Sequence, residues 1–212
     1  MGINLHYTAA QKWTLPQNWM VFETGFSKNE TQKILKDIEE VPYEEGSTFA
    51  SLDKDGTFQK DTKVDTNQRR SKIKWLPQNN KFGWIYDKIL GMAQQANSEL
   101  WDFNIHSLPE MIQYTEYDEK DKGHYDWHQD IGPNIGSTRK ISITVQLSDN
   151  DEYEGGHLEY YSGGPMEGPF FRAHKGMGAT FCFPSYMLHR VTPVTKGCRK
   201  SLVLWIGGSH YQ

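Results

Sequence analysis

His128, Asp130 and His189 stand in the order His-x-Asp and then, 59 residues beyond the aspartate, a second histidine. Two imidazoles and one carboxylate can hold a divalent iron on one face and leave three coordination positions free. In an extended strand, side chains two apart point to the same face, so His128 and Asp130 can share one ion. His189 must then arrive from elsewhere in the fold. Alone, a His-x-Asp pair is weak evidence, because a histidine is as often hydrogen-bonded scaffolding. Arg199 changes the weighing. It lies ten residues after His189, beyond a turn signal at Thr195-Lys196-Gly197. Residues 191–194 and 201–206 read as the arms of a hairpin around that turn. At ~3.3 Å per residue, His189 then lies about 16 Å along the hairpin from the level of Arg199. A planar guanidinium meets a carboxylate bidentately, where lysine offers only a point charge. A three-ligand metal set with an anion-gripping arginine nearby is far more specific than either part.

With these residues in view, the sequence resembles the Fe(II)- and 2-oxoglutarate-dependent dioxygenases, specifically their prolyl 4-hydroxylase-like branch of bacterial and phage type. The matching stretches are QYTEY (113–117), HYDWHQD (124–130), ISITVQLSD (141–149), YEGGHLEYY (153–161) and, most specifically, FPSYMLHRVTPVTKGCRKSLVLWI (183–206). The resemblance is specific over 110–207. It is looser over 18–109, through a helix-first layout and QRRSKIKWL (68–76). It implies that His128, Asp130 and His189 bind Fe(II) and that Arg199 binds the distal carboxylate of 2-oxoglutarate. It also implies that Tyr117, Val191 and Trp205 line the co-substrate pocket. Certain animal relatives offer a tyrosine hydroxyl to that carboxylate; Gln146 holds the place here, and its amide can still donate. Other hydroxylases of the branch use lysine at the position of Arg199. Tyr125, three residues before His128, belongs near the cavity mouth by the same resemblance, within reach of substrate or cofactor.

The implied chemistry uses the open coordination positions. 2-Oxoglutarate chelates the iron through its 1-carboxylate and 2-keto oxygen, and O2 takes the remaining place. Oxidative decarboxylation to succinate and CO2 is then coupled to hydroxylation of an unactivated C–H, with ascorbate as an accessory reductant. The metal and co-substrate carry the reactivity, while the protein orients them. Asp130 occupies the position that halogenating relatives leave open for chloride, which disfavours halogenation. Three readings of function stay open. The favoured one is hydroxylation of a prolyl residue in a proline-containing protein or peptide. The second is the same chemistry on another side chain, a free amino acid or nucleic acid. Demethylases of nucleic acid carry a second arginine six residues after the first. Trp205 stands there in this chain, and a net charge of −4 gives no basic footprint. The third is a non-catalytic jelly-roll binding module, because fold alone does not give function; the intact ligand set and Arg199 argue against it.

Positioning these residues needs a β scaffold, and the chain supplies helices first and strands later. Ser27 and Glu30 make a capping box that predicts a helix to about Glu40, with Ile34, Leu35, Ile38 and Val41 on one face and Pro42 as its stop. Residues 81–97 predict a second amphipathic helix, with Phe82, Ile85, Ile89, Met92, Ala93 and Ala96 at helical spacing. After Asn104, short apolar runs split by Gly, Pro and Asp predict antiparallel strands of a double-sheet jelly roll. The expected fold is α+β, mainly β: a double-stranded β-helix core over 110–207 braced by N-terminal helices. With the helical and hairpin part over 1–109 it makes one domain of 212 residues. Residues 53–74 carry Lys60, Lys63, Arg69, Arg70, Lys72 and Lys74 and read first as a solvated loop or hairpin. As a functional segment they would form a flap over a peptide, with Arg69 and Arg70 favouring an acidic one. His124 and His157 read as surface or supporting residues, and His6, His106, His174 and His210 carry no signal. Trp75, Trp84, Trp101, Trp127 and Trp205 read mainly as core. Gly155-Gly156 and Gly163-Gly164-Pro165 read as turns.

No apolar run approaches the ~18 residues needed to cross a membrane. The first residues lack the basic start and apolar stretch of a secretory leader, and His6 stands where a myristoylation signal needs Ser or Thr. Cys182 and Cys198 do not make a disulfide framework; they read as reduced thiols, Cys182 in the core, and the expected compartment is the cytoplasm. The expected partner is the protein or peptide substrate. No membrane or nucleic acid is expected, and a monomer is compatible with the sequence.

Overall fold

The structure is a computed structural model and describes residues 18–46, 65–132, 138–161, 163 and 170–209. The expectations placed on 1–17, 53–64, Gly164-Pro165 and His210 lie outside these residues. Two antiparallel sheets face one another. The larger contains β1 (Met20–Phe22), β2 (Glu44–Glu45), β4 (Lys72–Leu76), β5 (Ile105–Ser107), β6 (Ile112–Asp118), β8 (Arg139–Gln146), β9 (Tyr153–Gly155), β12 (Thr180–Pro184) and β14 (Val194–Gly208). Its order is β1-β12-β8-β14-β6-β4-β2, with β5 and β9 paired to β14. The smaller contains β3 (Arg69–Arg70), β7 (His124–His128), β10 (Leu158–Tyr160), β11 (Phe171–Arg172) and β13 (His189–Val191), ordered β11-β10-β13-β7-β3. Two helices, α1 (Lys28–Asp37) and α2 (Gly83–Leu100), pack on the larger sheet. This is the mainly β jelly roll with bracing helices that the pattern predicts.

Strand alternation divides the work of the larger sheet. Ile141, Ile143 and Val145 of β8 and Leu202, Leu204 and Ile206 of β14 share one core with Ile34 of α1 and Ile85, Ile89 and Ala93 of α2. Each fully buried side chain of this size contributes about 1.5–3 kcal/mol. The intervening residues Ser142, Thr144 and Gln146 on β8, and Ser201, Val203 and Trp205 on β14, point the other way, toward the smaller sheet. All eight residues of β8 are buried. Its polar face therefore lines an interior rather than meeting bulk water.

The capping box forms: Ser27 Oγ accepts from Glu30 N–H at 3.3 Å, and Glu30 Oε2 accepts from Ser27 N–H at 2.7 Å. α1 ends at Asp37, before the expected Glu40, and residues 38–40 continue as turns. Lys74, buried on β4, donates to the Ile38 carbonyl at 2.9 Å. That adds a second donor to a carbonyl that also accepts from Val41 N–H and places a cation at the negative end of the helix dipole. α2 starts after Asn79 Oδ1 accepts from Lys81 and Phe82 N–H and runs three residues past the expected end.

Two expectations need correction. β13 and β14 are not arms of one hairpin: β13 pairs with β10 and β7, while β14 pairs with β9, β6 and β8. The chain changes sheets between Val191 and Val194. The turn signal survives only as Gly197, at φ 72 within β14. Nor do the described residues of 53–74 form only a solvated loop or a hairpin of their own. Arg69 and Arg70 pair with Tyr125 and His124, and residues 72–76 pair with β6. Among the described residues, no helix is long and apolar enough to cross a membrane.

Candidate metal centre and its cavity

His128 closes β7 and is the register partner of His189, which opens β13. Their ring centroids lie 4.1 Å apart. Asp130 follows β7 by two residues, and its N–H donates to the Ser185 carbonyl at 2.9 Å. His128 Nε2 lies 3.8 Å from Asp130 Oδ1, and His189 Nε2 lies 3.6 Å from Asp130 Oδ2. One ligand atom from each of the three falls within 4.8 Å of the others.

The other ring nitrogens set which tautomer each imidazole adopts when neutral. His128 Nδ1 faces the Asp126 carbonyl at 2.7 Å, and His189 Nδ1 faces the Met187 carbonyl at 2.8 Å. A carbonyl only accepts, so each Nδ1 carries a hydrogen, and in the neutral ring Nε2 is the nitrogen left to ligate beside Asp130. Burial pushes the His128 imidazole down to about 3, with the neighbouring His189 adding to the effect. Burial would raise the Asp130 carboxyl, but His189, His128, Arg139 and a hydrogen bond from Ser142 outweigh it and hold it below the usual range. Ser142 Oγ donates to Asp130 Oδ2 at 2.6 Å and lies 3.0 Å from Ser185 Oγ. Two imidazole Nε2 atoms beside a carboxylate suit a divalent transition-metal ion.

Arg199 reaches the same cavity from the larger sheet. It is 3% exposed, pairs in register with Tyr117 and donates from Nη1 to Ser201 Oγ at 3.1 Å. The cavity is walled by His128, Asp130, His189, Arg199, Tyr117, Val191, Trp205, Thr115 and Thr144, among others. Four of the five residues expected around the co-substrate thus share one space with the metal set. Gln146 does not. It lines a smaller recess that also touches Arg199, and its Nε2 donates to the Tyr153 hydroxyl at 3.1 Å. The buried indole Nε1 of Trp205 has no hydrogen-bond partner within the protein, which leaves a donor for a guest in the cavity.

Of the residues read as touching substrate, Tyr125 lies flat against His128, with centroids 3.4 Å apart and an interplanar angle of 12°. The Arg69 guanidinium sits 4.9 Å over the Tyr125 ring and donates to Ser71 Oγ and Gln113 Oε1. Arg69 is buried in the cavity wall and is no part of an exposed flap. Arg70, its neighbour on the strand, faces outward and donates to the Thr66 carbonyl at 2.8 Å. Adjacent strand residues point to opposite faces, so Arg69 reaches the metal cavity while Arg70 lines only the outer groove that both border. His124 spans the carbonyls of Lys122 and Asn67, away from the metal set.

Sequence reasoning passed over Arg139, Ser142 and Tyr153. Arg139 forks the Glu110 carboxylate at 2.7 and 2.6 Å, donates to the Asp130 carbonyl at 3.1 Å and lies 3.8 Å over the Trp205 ring. The available signal was the Ser-x-Thr-x-Gln alternation at 142–146, which looks the same whether the polar face meets solvent or an internal cavity. A second cluster, Glu116, Asp118 and Cys198, suits a metal poorly. Burial and the nearby Glu116 push the Cys198 thiol up to about 12, and a thiol is a poor ligand. Burial likewise raises Cys182 to about 12.

Residues 112–207 match the family model of the 2OG-Fe(II) oxygenase superfamily. A PKHD-type hydroxylase of Teredinibacter turnerae is 38% identical over 106 residues, which cover 47% of this chain and 45% of that protein. One from Synechococcus sp. (strain CC9605) is 42% identical over 82 residues, covering 39% and 36%. The chain therefore spans less than half the length of these relatives. Among solved structures, a Trichoplax adhaerens prolyl hydroxylase, in complex with a hypoxia inducible factor oxygen degradation domain peptide fragment, superimposes with a TM-score of 0.69. The identity is 16%, over 90% of this chain and 84% of that one. A Pseudomonas putida prolyl-4-hydroxylase gives 0.64 at 15% identity, over 91% and 93%. At such identities the likeness is one of fold.

Proposed function

We propose that this protein hydroxylates a prolyl residue of a protein or peptide, releasing succinate and CO2, a reading supported by the match of residues 112–207 to the family model of the 2OG-Fe(II) oxygenase superfamily. One observation carries the reading. Two imidazole Nε2 atoms and a carboxylate converge on a cavity whose other wall holds Arg199, buried and, among the described residues, paired with no carboxylate. A buried cation without a counter-charge is costly, and the distal carboxylate of 2-oxoglutarate would supply one.

His128, Asp130 and His189 would hold Fe(II), and the donor set fits that ion. When bound, Fe(II) with 2-oxoglutarate supplies the activation of O2. The chain's own residues bind and orient. The Asp126 and Met187 carbonyls keep both imidazoles in the ligating tautomer, and Ser142 fixes the rotation of the Asp130 carboxylate. Arg199 receives the co-substrate's tail bidentately. Leu158, Val191 and Trp205 give the cavity an apolar wall beside the metal ligands, suited to an uncharged ring. The prolyl assignment leans on the fold neighbours, described as prolyl hydroxylases.

The test is incubation with Fe(II), 2-oxoglutarate, ascorbate and a proline-containing peptide library, read by mass spectrometry together with succinate. The expected result is one added oxygen on proline with matching succinate. Oxygen on another residue type would overturn the prolyl assignment, and absence of succinate would overturn the dioxygenase reading.

A further inference from the structure

We propose that Tyr153, held by Gln146, is a positioning residue that fixes the Arg199 guanidinium for the distal carboxylate of 2-oxoglutarate. The inference rests on the reading above. Tyr153 opens β9, whose register partner is Gly197 on β14, two residues before Arg199. It is 3% exposed. Its hydroxyl oxygen accepts from Gln146 Nε2 at 3.1 Å, and Tyr153 and Arg199 wall the same recess. The same Nε2 faces the Ser148 carbonyl at 3.4 Å. Only the NH2 end of an amide can face a carbonyl, so this contact sets which way Gln146 points and makes it a donor to Tyr153.

Arg199 is thus steadied by neutral groups, the Ser201 hydroxyl that accepts from its Nη1 and the Tyr153 side chain packed beside it. Neither neutralises it, so its charge is kept for a guest, and the remaining N–H groups of its planar fork stay available. A free arginine side chain samples many rotamers. Fixing it before the guest arrives removes an entropic cost of binding. Gly156 completes the clamp. At φ 54, its Cα lies so close that an added Cβ would sit 3.1 Å from a Tyr153 ring carbon and 3.2 Å from Arg199 Cδ. Only glycine lets the backbone pack against both side chains. Gln146 therefore acts on the co-substrate through Tyr153 and Arg199, rather than by touching it.

The test is calorimetric titration of the full chain loaded with Mn(II), using two ligands. One is 2-oxoglutarate; the other is 2-oxopentanoate, the same carbon chain without the distal carboxylate. Tyr153→Phe, which frees the ring from Gln146, is expected to weaken 2-oxoglutarate about fivefold to tenfold, within the range of one neutral hydrogen bond. Its affinity for 2-oxopentanoate should stay within about twofold of wild type, because that ligand has nothing for Arg199 to grip. Gln146→Met should weaken 2-oxoglutarate less, and the double variant should be no weaker than Tyr153→Phe alone, because the two residues act in series. Equal weakening of both ligands, or unchanged 2-oxoglutarate affinity in Tyr153→Phe, would overturn the positioning role. If the wild-type protein binds neither ligand, the underlying reading fails instead.

Discussion

Asp130 shows how much of a ligand's competence lies outside the ligand. Its carboxylate is aimed by Ser142, which is itself in contact with Ser185. Ser142→Ala keeps all three ligating side chains but releases Asp130 Oδ2. Metal affinity should fall about 10- to 100-fold, the usual cost of losing a group that orients a ligand, as read by Mn(II) titration of the folded variant. Unchanged affinity would mean that the carboxylate needs no such support. The sequence made His128, Asp130, His189 and Arg199 legible because their residue types name their chemistry. Ser142, Tyr153 and Arg139 do not announce themselves: a serine on an alternating strand looks like a solvent-facing residue until the second sheet is in place. Gln146 is hard to read for a related reason. Its position on β8 is inner-facing as expected, but it meets Tyr153 in a recess beside the cavity, which Arg199 also borders.

At the scale of elements, local signals were read well and partner choice was not. The capping box at Ser27 depends on residues three apart, and it forms. Hydrogen bonds from Lys88 and then Ser27 hold the Glu30 carboxyl down at about 2, against an ordinary value of 4.5. A depressed carboxyl stabilises the fold above its unfolded value, and that contribution is lost as pH falls from 4.5 toward about 2. Glu30 is partly exposed, so screening keeps the effect modest. Glu30→Gln should cost about 1 kcal/mol at neutral pH by urea denaturation. The gap to wild type should close as the pH approaches about 2; a gap independent of pH would contradict the assignment. The hairpin expected around residues 195–197 failed because turn chemistry and alternation say nothing about which strand lies alongside. β3, only two residues long, was hidden for the same reason, since its existence depends wholly on β7.

Across the whole molecule, the two sheets carry different halves of one site. The smaller sheet and the loop after β7 bring His128, Asp130 and His189 together, and β14 of the larger sheet brings Arg199. The helices bury the apolar face of the larger sheet, which frees its other face to be polar. Fold class was legible because helical and strand periodicities separate along the chain. The meeting of the two sheets was not, because it depends on contacts between residues far apart in sequence. The most direct test is anaerobic titration of the metal-free protein with Fe(II) and 2-oxoglutarate, followed by visible absorption. The account predicts a metal-to-ligand charge-transfer band that saturates at one iron and one 2-oxoglutarate per chain. The band should be absent in folded Asp130→Ala and His189→Ala, and Arg199→Ala should need far more 2-oxoglutarate to reach it. No band in the wild-type protein, or an undiminished band in the Asp130 and His189 variants, would contradict the account.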